Sequence, residues 1–191
     1  LAGITVIYLP DLYEAETDCT RILQDFAGYS FPEPSGLNRM MRSLAKETGI
    51  AYSAQQEEAI RAAATSGLLL ITGGPGTGKT TILNGILELL GQMQLRCLLA
   101  APTGRAAKRL TEVTGEDAST IHRLLEAGID PETGKMCFVR DEDNPLKADV
   151  VIVDEMSMVD VLLLDSLLRA VPRGKRLIFV GDPDQLPPVG P

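Results

Sequence analysis

The 191-residue chain has no tryptophan and only four tyrosines and four phenylalanines, so stacking of nucleobases on aromatic platforms has little support here. Its three cysteines, Cys19, Cys97 and Cys137, are scattered, and its one histidine, His122, has no second histidine with which to share a metal. That pattern argues against a zinc site or a disulfide framework. Long apolar runs are missing too: LLLI at 68–71 and VLLL at 161–164 fall far short of the ~18 residues that read as a membrane span, so no membrane partner is expected. The chain starts at Leu1, without the basic segment, apolar run and cleavage site of a secretory signal. It reads as an internal piece of a longer cytoplasmic protein.

An excess of positive charge is also absent. Eighteen Lys and Arg stand against 26 Asp and Glu, a net charge of −8, and phosphate binding ordinarily relies on cations. The charges are segregated, however. Residues 91–110 hold Arg96, Arg105, Lys108 and Arg109 and no acid, whereas residues 141–170 hold eight acids and two bases. A basic face on an acidic body is the expectation.

From about Gly67 onward, short apolar runs alternate with helical patterns. Strands are predicted at Leu68–Thr72, Arg96–Ala100, Val150–Asp154 and Arg176–Gly181, each apolar without clean alternation, as strands buried on both faces are. Helices are predicted at Lys79–Gly91, Gly104–Thr114, Ser119–Ala127 and Val159–Ala170. This alternation implies an α/β fold with a mainly parallel sheet. The segment 127–149 breaks the pattern with DPETGK and DEDNPL and reads as a protruding hairpin or ordered insertion. Before residue 49 the texture differs: ITVIYLP reads as a strand, Leu12, Ala15, Cys19, Ile22, Leu23 and Phe26 share one helical face, and GYSFPEPSG reads as a linker. Residues 1–48 are therefore expected to be the end of a preceding domain, and 49–191 a separate one.

GGPGTGKTT at 73–81 matches the phosphate-loop pattern G-x-x-x-x-G-K-[ST], follows an apolar strand and opens a helix. Backbone N–H groups of such a loop turn inward around a polyphosphate, and the helix adds the positive end of its dipole. Gly74, Pro75, Gly76, Thr77, Gly78, Lys79, Thr80 and Thr81 are the expected ATP contacts. Lys79 is expected to neutralise the β- and γ-phosphates and Thr80 to place its hydroxyl on Mg²⁺. VVIVDEMSM brings Asp154 and Glu155 to the end of a strand, where Asp154 suits Mg²⁺ and Glu155 suits a general base for the attacking water. A solvated loop is the rival for that pair taken alone. RLIFVGDPDQLPPVGP places Gln185 beside the same edge, with an amide able to sense the γ-phosphate. A proline-rich surface loop is its rival.

In this order, GGPGTGKTT, APTGRAAKRL, STIHRLL, VIVDEMSM and GDPDQLPPVGP resemble the first motor domain of superfamily 1 DNA helicases, in the RecD-like branch typified by exonuclease V α-subunits. The resemblance covers about residues 50–191. It implies a three-layer P-loop NTPase domain of the RecA-like kind, with the Arg176–Gly181 strand between the phosphate-loop strand and the Val150–Asp154 strand. It assigns Asp154 and Glu155 to the Walker B pair and Gln185 to the γ-phosphate sensor. YSAQQEEAI resembles the adenine-reading Q motif, pointing to Gln56, although Ser53-x-x-Gln56 is equally a helix capping box. APTGRAAKRL corresponds to a motif on the single-strand path, so Thr103, Gly104 and Arg105 are candidate DNA contacts; for Lys108 and Arg109 a solvated basic face competes with that role.

The implied function is ATP-driven 5′→3′ translocation on single-stranded DNA with duplex unwinding, alone or with other subunits of an exonuclease complex. A second motor domain with its arginine finger is expected beyond Pro191. Two alternatives remain: the helicase portion of a conjugative relaxase, and a non-catalytic P-loop scaffold, although Lys79, Asp154 and Glu155 are all retained.

Overall fold

A parallel sheet with helices on both faces frames the molecule. The computed structural model describes residues 9–185. Within them β1 (Leu68–Thr72), β2 (Cys97–Ala101), β3 (Ala118–Thr120), β6 (Val150–Val153) and β7 (Arg176–Gly181) pair in the order β1-β7-β6-β2-β3, every neighbour parallel. β7 lies between β1 and β6, as the resemblance implied. β1 and β3 are the two edges of this sheet among the described residues.

Why the central strands lack polar alternation is plain from where their side chains go. In β6, Val150 and Ile152 enter one core while Val151 and Val153 enter the other. β7 does the same with Ile178 and Val180 against Leu177 and Phe179. Each fully buried aliphatic side chain contributes about 1.5–3 kcal/mol, so neither face tolerates a polar residue cheaply.

One layer consists of α2 (Leu37–Thr48), α3 (Ala54–Thr65), α4 (Lys79–Gln92) and α5 (Gly104–Thr114). α3 and α4 approach closely at Gly85, where a Cβ would come within 2.6 Å of Ile60 Cδ1. The opposite layer holds α1 (Pro10–Ala27), α6 (Ile121–Leu124) and α7 (Val161–Ala170). α1 opens with Pro10, a residue suited to the first helical turn, and buries Ala15, Cys19, Ile22 and Phe26, the face expected from sequence. Those side chains share the core of α7 and the sheet, and Arg173 pairs with Asp25 at 2.6 Å. The segment read as a linker is fastened as well: Phe31 N–H donates to Thr65 O at 2.7 Å and Gly67 N–H to Tyr29 O at 2.9 Å.

Several expectations need adjustment. β3 is a strand that the sequence reading placed partly in a helix, because three residues give too little apolar pattern to recognise. The helix there is the single turn α6, capped by Thr120, whose hydroxyl accepts from Arg123 N–H. β4 (Ala127–Ile129) and β5 (Met136–Phe138) form the expected antiparallel hairpin. Most of the ITVIYLP strand lies outside the described residues, and its last residue, Pro10, begins α1.

Candidate functional site

Parallel strands deliver their carboxyl ends to one edge, and the crevice there is where open α/β sheets hold ligands. At that edge a cavity of about 440 Å³ is lined by the loop Gly74–Thr80, by Asp154 and Glu155 after β6, and by Asp182 and Gln185 after β7. The expected nucleotide residues Gly74, Pro75, Gly76, Thr77, Gly78, Lys79 and Thr80 thus meet Asp154, Glu155 and Gln185 around one space. Thr81 and Gln56 do not line it.

The loop between β1 and α4 turns through Gly78 at φ 85, a left-handed conformation that favours glycine. Space there is short as well, because a Cβ on Gly78 would stand 2.7 Å from Gln56 Nε2. Gln56 therefore touches the back of the loop. Its Oε1 accepts from Ser53 N–H at 2.9 Å while Ser53 Oγ accepts from Gln56 N–H at 3.3 Å, a complete capping box for α3. The oxygen caps the helix, which is the capping-box reading, while the NH₂ group faces Gly78 of the loop. Lys79 folds back, its Nζ donating to Gly73 O and to Gly74 O, the latter at 2.9 Å.

Asp154 leaves the sheet still registered, its N–H donating to Ala100 O at 3.0 Å. Burial pushes its carboxyl above the ordinary range; the Glu155 N–H donating to Oδ1 opposes this, the Glu155 charge adds to it, and Arg109 and Lys79 pull it down. Glu155 sits at φ 56, a left-handed conformation that costs a non-glycine residue about 1–3 kcal/mol and recurs at functional sites. After it, a 3₁₀ turn at Met156–Met158 brings Ser157 Oγ to donate to Gln185 Oε1 at 3.2 Å. With its oxygen engaged, the Gln185 amide has its NH₂ left to offer. Asp182 is buried and accepts from Asp184 N–H at 3.0 Å.

A second cavity, of about 640 Å³, lies alongside and is lined by Thr103, Arg105, Ala106, Lys108 and Met158 among others. It shares Arg109, Glu155 and Gln185 with the first. Thr103 and Arg105 therefore line one cavity. Thr103 also caps α5, accepting from Ala106 N–H at 3.2 Å, and Gly104 is the first residue of that helix, with open space beside it. His122 packs against Phe138, ring centroids 5.9 Å apart, away from both cavities.

Sequence reasoning missed two residues here. Arg109 faces the first cavity as well as the second, and Ser157 orients Gln185. Nothing in the sequence signalled the direction of Arg109, whose neighbours Leu110 and Val113 on α5 line the same cavity.

A family model described as an AAA domain matches residues 56–191. Over 183 residues the chain is 40% identical to the ATP-dependent RecD2 DNA helicase of Deinococcus radiodurans, a match that takes in 96% of this chain and 24% of that protein. It is 43% identical over 155 residues to the RecBCD enzyme subunit RecD of Mycolicibacterium smegmatis, covering 69% of this chain and 27% of the relative. Among solved structures it is similar to the Pif1 helicase from Candida albicans, with 28% identity and a TM-score of 0.51 over 74% of this chain and 34% of that one. The chain spans about a quarter of the length of these curated relatives.

Proposed function

The chain belongs to the RecD-like DNA helicases, with the α/β P-loop NTPase fold of their motors, and on that premise we propose that it is a first motor domain, driving 5′→3′ translocation on single-stranded DNA and duplex unwinding in the whole protein. The carrying observation is that Lys79, Asp154, Glu155 and Gln185 meet around one cavity that shares a wall with the cavity of Thr103 and Arg105. Residues 49–191 form the proposed motor, with the helices before them docked on both of its faces.

The residues fit Mg-ATP. The phosphate loop offers its N–H groups at the start of α4, and Thr80 and Asp154 would hold Mg²⁺, which when bound supplies positive charge to the β- and γ-phosphates. Lys79 exchanges the Gly73 and Gly74 carbonyls for phosphate oxygens. Glu155 takes the proton of the attacking water. Gln185, its oxygen tied to Ser157, donates its NH₂ to the γ-phosphate and moves when that group leaves. Gln56 reaches the base from behind the loop, and Thr81 supports the loop from the first turn of α4. On the adjoining side, Thr103 and Gly104 at the start of α5 and Arg105 take phosphates of the single strand.

Thermal melts test the nucleotide half of this reading. Millimolar Mg-ATP is expected to raise the melting temperature, since a ligand that binds only the native state stabilises it by mass action; no shift would overturn the site. Unwinding of substrates with 5′ or 3′ single-stranded overhangs by the whole protein tests the polarity, and unwinding only from 3′ overhangs would reverse it. One relative is named as a RecBCD subunit and another as a RecD2 helicase, so the size of the native assembly decides between an exonuclease complex and a helicase working alone. A motor on DNA belongs in the cytoplasm, and no helix among the described residues is long and apolar enough to cross a membrane.

A further inference from the structure

α5 carries three cations within five residues, and they do not face the same way. Lys108 leans toward Glu112 at 3.9 Å, both side chains well exposed. Arg105 borders only the second cavity, whereas Arg109 borders both. No ion pair or hydrogen bond engages the Arg109 guanidinium among the described residues. It lines the first cavity together with Lys79, Asp154 and Glu155.

The charge balance of the first cavity leaves room for a second side-chain cation beside the Mg²⁺ that Thr80 and Asp154 would hold. Three carboxylates, Asp154, Glu155 and Asp182, line it with a single lysine, Lys79, apart from Arg109. A triphosphate brings a further negative charge beyond that of a diphosphate, and brings it toward the carboxylates. Gln56 stands beside Gly78 and outside the cavity lining, while Asp154, Glu155 and Arg109 line the cavity; on the nucleotide-site reading, the last phosphate lies on the side of these carboxylates. Guanidinium is suited to that position because its planar fork matches two phosphate oxygens at once.

We propose that Arg109 binds the terminal phosphate of the bound nucleotide, so that this domain itself distinguishes a nucleoside triphosphate from a diphosphate. The proposal rests on the nucleotide-site reading above. Arg109 is exposed at the surface, so replacing it leaves the fold intact. The assignment differs from the sequence expectation, which makes Arg105 and Arg109 the nearby candidates in cis for a phosphate-facing arginine but points them, by their motif, toward the DNA path.

The test is equilibrium binding of a non-hydrolysable ATP analogue and of ADP, each with excess Mg²⁺, to the wild-type chain and to the Arg109→Ala, Arg109→Lys and Lys108→Ala variants. Losing a charge-assisted contact predicts a drop of about 10- to 100-fold in analogue affinity for Arg109→Ala, with ADP affinity changed less than about twofold. Arg109→Lys should recover part of the loss, because it keeps the charge without the fork. Lys108→Ala should bind both nucleotides as the wild type does. Equal losses for ATP analogue and ADP in Arg109→Ala, or no loss for either, would overturn the assignment while leaving the nucleotide site standing. A wild-type chain that binds neither nucleotide would overturn both.

Discussion

The two edges of the sheet treat charge in opposite ways. At the amino edge, where the strands begin, Lys175 and Asp149 are paired within the chain. Lys175 Nζ donates to Asp149 Oδ1 at 2.8 Å and Arg96 N–H donates to Asp149 Oδ2 at 3.0 Å. Arg176, buried, donates to Ala64 O at 2.9 Å and lies 3.6 Å above the Phe31 ring. At the carboxyl edge, Lys79 has only the carbonyls of its own loop, and no ion pair among the described residues engages Asp154, Glu155 or Arg109. Buried or crowded charges without partners are costly. A fold that pairs the Asp149 carboxylate with Lys175 at one edge and leaves Asp154, Glu155 and Arg109 without ion pairs among the described residues at the other marks the second as the place where an outside ligand completes the set.

This contrast is open to test from the largest effect downward. Lys79→Ala should abolish the Mg-ATP-induced rise in melting temperature altogether while leaving the melt without nucleotide nearly unchanged; a large loss of basal stability would mean that Lys79 serves the fold instead. Glu155→Gln in the whole protein should slow hydrolysis by about 10²–10⁴-fold with ATP binding retained, read as steady-state turnover beside an equilibrium titration. An unchanged rate would remove Glu155 from the role of base. Ser53→Ala lies between the two kinds of chemistry, since it opens the capping box that holds Gln56. It should cost about 0.5–2 kcal/mol in denaturant unfolding.

The smallest effect belongs to the amino edge. Lys175 and then the Arg96 N–H hold the Asp149 carboxyl below the ordinary range. A depressed folded-state value stabilises the native state above the unfolded value of about 3.9, and that contribution disappears as pH falls through the folded value. Asp149→Asn should therefore cost under about 1 kcal/mol near pH 7, as partly exposed pairs do, and its melt should converge with that of the wild type in stronger acid. A gap that widened on acidification would reverse the sign.

What was legible in the sequence follows from what is local. The phosphate loop is a short contiguous pattern in a strand-loop-helix context, and β6 and β7 announce themselves by apolar runs with no polar face. Asp154 and Gln185 could be placed at a shared edge because parallel strands must end together. β3 escaped notice because Ala118–Thr120 is too short and polar to carry a period. The direction of Arg109 escaped because it depends on where α5 sits against α4, a tertiary fact. Arg105 and Arg109 are four residues apart, yet only the second lines the phosphate-loop cavity. Similarly, the face of α1 was visible, but nothing in it named α7 as the surface it covers.

The position of β1 at the rim of the sheet bears on how the isolated chain behaves in concentrated solution. Its partner β7 occupies one side, and among the described residues no strand pairs with the other side of LLLIT, where Leu70 is 60% exposed. An uncharged, largely aliphatic rim of this kind is a template for another chain to pair with. No lysine, proline or bulge within Leu68–Thr72 blunts it. Self-association should therefore begin at this strand, on the flank beside the phosphate loop, and a charged residue at position 70 is the direct remedy because its side chain already points into water.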